Sequence, residues 1–451
     1  MKCKMIPGIL RLNSKIKYGL TSRNVPLYLF NPLDTSLKPC IVGSSSNEKA
    51  NVLALINVEK WEPEKLSRGN LVRIIGKCGD IQAEEEALLI QHSSNIWKGF
   101  RKETLNSPLN ETHEYISGFT FNVDPPGCVD IDDAITIGDD GYIYIVIADV
   151  SCWMKWNHKL FEGAAKIGQT LYNNGKVVSP LLPIQEECSL TTGKVSRGIA
   201  LKFRFGETIS DISFQKVLVT NNKTFTYESI YESSHSKFLK KLASHIAGYS
   251  VEDSHEWIEQ IMKFYNLKVA KELIKKKDGL LRIQPEPCIE KLKEYKDFVE
   301  LEFLANKSAI YSPATNPQKH WSLKQYYCHA TSPIRRFADI VNQMVLVNEV
   351  VSQLDIDYLN FLQKQAKKYE RDLLFIQTLL GTDLREVEGI VLNDHRIWVP
   401  KWKRIITCKN SSNPGKKGLL KYSLDMDQPT WKKRMVFRFG DTNYLEQQSL
   451  E

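Results

Sequence analysis

Four carboxylates crowd into ten residues in the run Asp124-Pro-Pro-Gly-Cys-Val-Asp130-Ile-Asp132-Asp133. Like charges this close repel one another unless something compensates them. Hard oxygen donors favour magnesium or manganese over softer metals. Two such ions about 3.5–4 Å apart can activate a water and stabilise the leaving oxygen of a phosphodiester. Pro125-Pro126-Gly127 excludes helix and breaks a regular strand, so the aspartates project from a shaped loop. A solvated turn would have the same composition. A calcium loop of the EF-hand type would need alternating ligands, a glycine at its sixth position and a distal glutamate, which this run does not supply. What separates the run from a loose turn is its neighbour: Tyr142-Ile-Tyr-Ile-Val-Ile-Ala-Asp149 is apolar almost throughout and reads as a buried strand.

A second constellation follows about 200 residues later, Tyr326-Tyr-Cys-His-Ala-Thr-Ser332-Pro-Ile-Arg335-Arg336-Phe-Ala-Asp339. Ser332-Pro333 marks a turn or a helix start with proline at its first position. Two arginines at a helix N-terminus oppose the helix dipole and call for an anion. A phosphate would serve, held by a planar bidentate donor. An ion pair with Asp339 three or four residues on would serve equally. The spacing leaves one arginine for each task.

The elements that must position these groups are mixed. Residues 1–95 contain short β segments, among them Val52 to Val58 and Leu71 to Ile75, with turns at Ser67-Arg-Gly69 and Cys78-Gly-Asp80. They suggest a small barrel of the OB type. Residues 96–118 read as a polar linker. Residues 119–385 alternate strands (142–149, 199–205) with helices. One helix starts near Asp253 with Glu256 as a capping box, buries Trp257, Ile261, Phe264, Val269 and Leu273, and stops at Lys275-Lys-Lys277 before Gly279. A second covers about 355–385, with Leu359, Leu362, Ala366, Tyr369, Leu373 and Ile376 on one face. Residues 386–451 return to strands and suggest a second small barrel. The fold class is α+β, a mixed α/β catalytic domain flanked by small OB-fold β-barrels.

Composition narrows the setting. The 451 residues carry a formal net charge of +8, and 42% are hydrophobic. The first 25 include Lys2, Lys4, Arg11, Lys15, Lys17 and Arg23 and no acid, and the last 55 include Lys401, Lys403, Arg404, Lys416, Lys417, Lys432, Lys433 and Arg434. Basic ends around an acidic middle suit a polyanion held by the ends and metal held by the middle. No apolar run is long enough to span a membrane, and the N-terminus lacks a signal-peptide pattern. Nine cysteines without a C-x-x-C pair argue against zinc and against a disulfide framework. These features point to an intracellular protein, cytoplasmic in the first instance and nuclear as the alternative.

The two motifs, in this order and spacing, resemble the RNase II/RNase R (RNB) exoribonuclease family. The Asp-Pro-Pro-Gly-Cys variant is closest to its eukaryotic, exosome-nuclease-like branch. Ile147-Ala-Asp-Val-Ser151, Thr170-Leu-Tyr172 through Leu182-Pro183, Cys188-Ser-Leu190, and Val299-Glu300 with Leu304-Ala-Asn306 are similar to further family stretches. Ile56 to Trp61 and Gly69 to His92 resemble the family's cold-shock-type OB domain. The likeness covers residues 50–345, and the tail resembles a degenerate S-one-type OB domain.

The resemblance implies a 3′-to-5′ hydrolytic exoribonuclease acting on single-stranded RNA and releasing nucleoside 5′-monophosphates. Asp124, Asp132 and Asp133 would bind Mg2+, with Mn2+ as the alternative. Asp130 would contact the terminal nucleotide or help hold metal. Arg335 would stabilise charge on the scissile phosphate. Tyr172, Glu300, Ser332 and Arg336 would bind substrate, Tyr172 by stacking or packing near the terminal bases and Glu300 by orienting the last nucleotide. Departures stand at Val146, where the family has histidine, and at Asn342-Gln343-Met344, where it has Val-His-Arg. One extra residue separates Tyr172 from Pro183. These departures are expected to weaken the grip on RNA, and they motivate the alternative of a catalytically weakened or inactive RNA-binding protein with the same fold. The chain is expected to be a monomer. With no room for a PIN endonuclease domain, docking to an exosome core is not expected.

Overall fold

The computed structural model describes residues 5–439 apart from 63, 95, 101–112, 157, 296–297, 350–353, 410–411 and 429. Most of the polar linker read at 96–118 thus lies outside the described residues. The chain divides into two compact units, residues 1–94 with 365–451, and residues 95–364.

The first unit begins with β1 (Met5–Leu10), β2 (Leu27–Pro32), β3 (Cys40–Gly43), β4 (Val52–Val58) and β5 (Ser67–Lys77), closed into a barrel in the order β1-β2-β3-β5-β4. Val52, Ala54, Ile56 and Val58 alternate into the barrel with Phe30, Cys40 and Val42. Leu53 and Ile9 point the other way, onto Ala83 and Ala87 of helix α1 (Ile81–His92). The period of two in a fully apolar run is explained by burial on both sides. Asp80 caps α1 through the Ala83 N–H at 2.8 Å.

The second unit is built on β6 (Glu114–Tyr115), β7 (Gly118–Val123), β8 (Asp133–Gly138) and β9 (Ile143–Ala148), then α2 (Ser151–Trp156), α3 (His158–Ile167), β10 (Leu171–Asn173), β11 (Lys176–Ser179) and α4 (Gln185–Cys188). There follow β12 (Val195–Phe205), β13 (Ile209–Phe225), α5 (Tyr227–Tyr231), α6 (Ser236–Ala247), α7 (Ser254–Lys276), β14 (Leu280–Ile283), α8 (Ile289–Tyr295), β15 (Ile310–Pro313), α9 (Phe337–Leu346) and α10 (Ile356–Leu380). Six strands form one sheet in the order β12-β9-β8-β7-β13-β6. The early part of β13 pairs antiparallel with β12, and its last residues run parallel to β7 with a register shift at Asn221/Lys223.

Strand β9 lies inside this sheet and is buried along its whole length. Ile143, Ile145 and Ile147 pack with Leu239, Trp257, Ile261 and Tyr265 of α6 and α7. Tyr144, Val146 and Ala148 pack on the opposite face with Leu160, Phe337 and Ile340 of α3 and α9. The apolar run in the sequence is therefore a strand covered on both faces, the condition that removes polar alternation.

Helix α7 starts where the sequence places it, but its cap differs. Asp253 accepts from the His255 N–H at 3.1 Å, while Glu256 accepts from the Tyr249 hydroxyl instead of closing a capping box. Lys277 takes the left-handed cap conformation (φ 55°) in place of Gly279. Helix α10 carries Leu359, Ala366, Tyr369, Leu373 and Ile376 buried, and the boundary between the two units falls inside it, at residues 364/365.

The tail completes the first unit with β16 (Glu386–Asn393), β17 (Arg396–Val399), β18 (Arg404–Thr407), β19 (Lys417–Leu424), α11 (Trp431–Arg434) and β20 (Met435–Phe439). Its strands form an antiparallel sheet in the order β18-β17-β16-β19-β20. The sequence divides residues 1–95 from 386–451 as separate domains, whereas the structure packs them as one unit. The reason is a fully buried ion pair between segments 350 positions apart: Arg434 Nη1 donates to Glu84 Oε1 at 2.7 Å. Glu84 also accepts from the Gly79 N–H, and Arg434 donates to the Gln428 carbonyl. Arg434→Met alone should destabilise this unit by about 3–5 kcal/mol, because it strands a buried carboxylate. Adding Glu84→Gln should recover most of the loss, as read by chemical denaturation. Equal melting of Arg434→Met and the unsubstituted protein would contradict the assignment.

Candidate active site

The acidic loop links the end of β7 to the start of β8, on the sheet's edge nearest the end of β9. Cys128 N–H donates to the Pro125 carbonyl at 3.2 Å, and Gly127 has φ +80°. That is a type II turn with Pro126 and Gly127 at its centre, and it is why a glycine stands there. Downstream the loop is gripped at every step. Ile131 N–H donates to Ser189 Oγ at 3.0 Å, and the Ile131 carbonyl accepts from Leu190 N–H at 3.0 Å. The Asp132 carbonyl accepts from Ala148 N–H at 2.8 Å.

The second motif forms a turn rather than opening a helix. Arg335 and Arg336 both donate N–H to the Ser332 carbonyl, and α9 starts only at Phe337. Ile334 N–H, left free by this turn, donates to Asp132 Oδ1 at 2.8 Å, and Arg335 Nε lies 3.3 Å from Asp132 Oδ2. Two motifs 202 and 203 positions apart are thus joined at one buried carboxylate. The Arg335 side chain is 45% exposed and carries a second bond, from Nη2 to Ser332 Oγ at 2.9 Å.

The other arginine has a different fate. Arg336 Nη2 donates to Asp339 Oδ1 at 2.7 Å, and the same oxygen accepts from Ser332 N–H at 2.8 Å. Asp339 is fully buried. The sequence places Arg336 and Ser332 among the substrate ligands; in the structure both are engaged within the protein. Arg336 is spent on a buried carboxylate, and Ser332 is buried with its hydroxyl facing Arg335. Together they hold the turn that presents Arg335.

Of the remaining carboxylates, Asp124 is set by Asn122, whose amide donates to its Oδ2 at 2.8 Å. Asp124 N–H donates to the Phe225 carbonyl at 3.0 Å. Asp130 is buried and accepts a short hydrogen bond from the Tyr172 hydroxyl. Glu300 lies in a 3-10 turn, Val299–Ala305, and its side chain is outside the described residues. Burial pushes the Asp132 carboxyl up to about 7 against the pull of Arg335 and Ile334 N–H. Burial, then Asp124 and Asp132, raise Asp133 well above the ordinary range. Asp124 is raised by burial with Asp130 adding to it, while Asn122 and Cys128 oppose. Burial and Asp130 likewise raise the Tyr172 phenol.

Desolvated carboxylates that raise one another are the donor chemistry a hard divalent cation fits. They do not form a ready cage. Among the described residues no group of three His, Cys, Asp or Glu side chains is drawn around one point. Asn122, Arg335 and Tyr172 occupy oxygens of Asp124, Asp132 and Asp130 meanwhile.

Several positioning residues escaped the sequence reading. Asn122, Ser189 and Asn221 are buried polar groups whose tasks depend on contacts far away in the chain. Asn221, at the register shift of β13, donates to Asn122 Oδ1 at 2.7 Å and the Leu190 carbonyl at 2.8 Å. Tyr227 lies two residues past the end of β13, and its phenol is pushed up to about 12 by burial and then by Asp124 and Asp133. The departures at Val146, Gln343 and Met344 face inward and are buried. Gln343 brackets the end of β9, donating to the Ala148 carbonyl at 2.8 Å and accepting from Val150 N–H at 3.3 Å. Asn342 bonds both the N–H and the carbonyl of Leu280. These side chains belong to the scaffold and not to a surface that would grip RNA.

The RNB domain family matches residues 112–247 and 236–351. The Dis3-like cold-shock domain 2 matches residues 27–93, which hold β2 to α1. The probable exosome complex exonuclease RRP44 of Caenorhabditis elegans is 23% identical over 91% of this chain and 56% of its own length. Ribonuclease R of Buchnera aphidicola is 24% identical over 81% of this chain and 61% of its own. The chain thus spans about half the length, or less, of the curated eukaryotic exonuclease relatives it matches. In fold it is similar to the apo form of Mycoplasma genitalium RNase R, at a TM-score of 0.76 and 16% identity, covering 97% of this chain and 90% of that one. It is also similar to yeast Ssd1, described as a pseudonuclease, at 0.68 and 15%, covering 90% and 65%. An acidic loop and an arginine turn joined at Asp132, within a matched stretch exceeding half the chain, lead to one conclusion: this chain belongs to the RNB family.

Proposed function

We propose that the chain is a divalent-metal-dependent 3′-to-5′ exoribonuclease that hydrolyses single-stranded RNA to nucleoside 5′-monophosphates. The observation that carries this reading is the junction at Asp132, where a buried carboxylate loop meets a half-exposed guanidinium. Such a pairing suits a phosphodiester, whose metal-bound and free oxygens need opposite partners. Magnesium bound by Asp124, Asp132 and Asp133 would supply an activated water and stabilise the leaving oxygen. Arg335 has the exposure to meet the scissile phosphate while Ser332 Oγ and Asp132 fix its guanidinium. Asp130 and Tyr172, already bonded to each other, would border the terminal nucleotide, and Glu300 would orient it. The basic segments at both ends of the sequence suit the phosphates of longer RNA. We place the activity inside the cell, on single-stranded RNA, by a monomer.

Stepwise shortening of 5′-labelled RNA in magnesium tests this directly. Asp132→Asn should stop shortening while RNA binding stays within a few-fold, since an amide oxygen can still accept from Ile334 N–H. No shortening by the unsubstituted chain in magnesium or manganese would overturn the enzyme reading and leave an RNA-binding protein of the same fold.

Arg335→Ala should lower the rate by about 10²–10³-fold, the scale of removing one donor from a transition-state oxyanion. Arg336→Ala should act differently, by lowering the melting temperature, because it leaves Asp339 buried and unpaired. If single-turnover rates in folded Arg335→Ala match the unsubstituted chain, Arg335 has no role in the chemistry.

Metal occupancy has its own signature. A carboxylic acid raised in the folded state binds protons that the unfolded chain releases, so its contribution to stability falls as pH rises above about 3.8. Asp133→Asn removes that cost. In chelator-treated protein it should raise the melting temperature at pH 7 and change it little near pH 4. Magnesium should stabilise the unsubstituted chain at pH 7 and leave Asp133→Asn unchanged. A melting temperature lowered by Asp133→Asn at pH 7 without metal would refute the electrostatic account.

A further inference from the structure

The ring of Tyr227 is covered by that of His255: their centroids lie 3.8 Å apart with planes inclined by 12°. Both partners are fixed from behind. Thr226 and Ser229 form a capping box that sets the first turn of α5, and so the backbone of Tyr227. Asp253 caps α7, accepts from His255 N–H at 3.1 Å, and places its Oδ1 3.4 Å from His255 Nδ1. His255 stands in the first turn of α7 with its side chain 62% exposed. The core does not depend on it, because the neighbouring pair of α5 and α7, Tyr231 with the buried Trp257, performs the packing between these helices.

The location of Tyr227 gives the stack its meaning. Phe225 pairs with Val123, and its carbonyl accepts from Asp124 N–H at 3.0 Å. Tyr227 and Asp124 therefore leave the same end of two paired strands. The phenol is raised first by burial and then by the charges of Asp124 and Asp133, which act on it from that end. A tyrosine on a five-residue helix has free side-chain torsions unless something holds the ring. Part of that support is the core, against which the half-buried Tyr227 packs, and the rest is the imidazole stacked on the ring.

We propose that His255 is a positioning residue of the acidic site: by stacking, it holds the Tyr227 ring beside Asp124 and Asp133 for contact with the last nucleotide of an RNA 3′ end. This rests on reading the acidic loop as the seat of that end. The part His255 plays is planar contact, so another flat ring should replace it and a methyl group should not.

The test is a two-residue cycle on the full chain. His255→Ala should slow single-turnover shortening of a 5′-labelled oligonucleotide by about 3- to 10-fold, the range one aromatic pair is worth, with the melting temperature nearly unchanged. His255→Phe should restore the rate. Adding His255→Ala to Tyr227→Ala should cost nothing further, because the support has nothing left to hold. A full rate in His255→Ala, no rescue by phenylalanine, or a second independent loss in the double variant would each overturn the proposal. Should the unsubstituted chain not shorten RNA, the exonuclease reading fails and binding decides instead. Oligonucleotides ending in a 3′-hydroxyl and a 3′-phosphate would be compared by fluorescence anisotropy. Preference for one end, lost in His255→Ala and kept in His255→Phe, supports the stack; no difference between the ends, or between the variants, overturns it.

Discussion

The Asp132 carboxylate is the joint on which the site depends. Its backbone carbonyl is tied to β9, one side-chain oxygen takes the Ile334 N–H and the other faces Arg335. A buried charge is tolerated only with such partners. Ser332-Pro333 supplies the first of them almost by default. Proline has no N–H, so Ile334 carries the first donor after it, and the turn leaves that donor unclaimed by its own backbone. The arginine turn is thus shaped to end on the carboxylate, and neither motif holds its form without the other.

Around that joint, the sheet converts sequence into rigidity. β9 is buried on both faces, and the acidic loop is bonded to its end, to the Ser189-Leu190 segment and to β13 through Asn122 and Asn221. Restraint at this many points keeps four carboxylates close in spite of their repulsion. The cost is visible in the raised Asp124, Asp132 and Asp133. A cation would relieve it, whereas a solvated turn would have relaxed by moving apart. The same logic explains the unequal arginines. Asp339 neutralises Arg336 in the interior, so the outward charge of the turn is carried by Arg335 alone.

Much of this was legible in the sequence. The apolar run at 142–149, the strand at 52–58, the stop of α7 near Lys277 and the pairing of one arginine with Asp339 all follow from spacing and local chemistry. What was not legible depends on distance. Nothing near Arg434 announces that its partner is Glu84, so two β-rich ends read as separate domains. Ser189 lies in the Cys188-Ser-Leu190 stretch, but its task is a hydrogen bond to a loop 58 positions earlier. Which arginine would be the buried one was equally hidden, because Asp339 lies within reach of both along the chain, and only the turn at Ser332 orients them.

The departures from the family pattern show why burial must be known before a substitution is interpreted. Read from the sequence, Asn342-Gln343-Met344 in place of Val-His-Arg looks like a lost grip on phosphate. In the fold, those positions lie on the fully buried α9. Each of the two amides satisfies both a donor and an acceptor of the main chain. Val146 sits against Gly198, where any added Cβ would overlap it. A histidine there would need a polar partner in a pocket lined by apolar side chains. The substitutions thus form a consistent apolar and amide-clamped variant of the scaffold. Any effect on RNA would pass through the backbones they hold, at the end of β9, at β14 and at His329, and at the end of β9 that path leads back to Asp132.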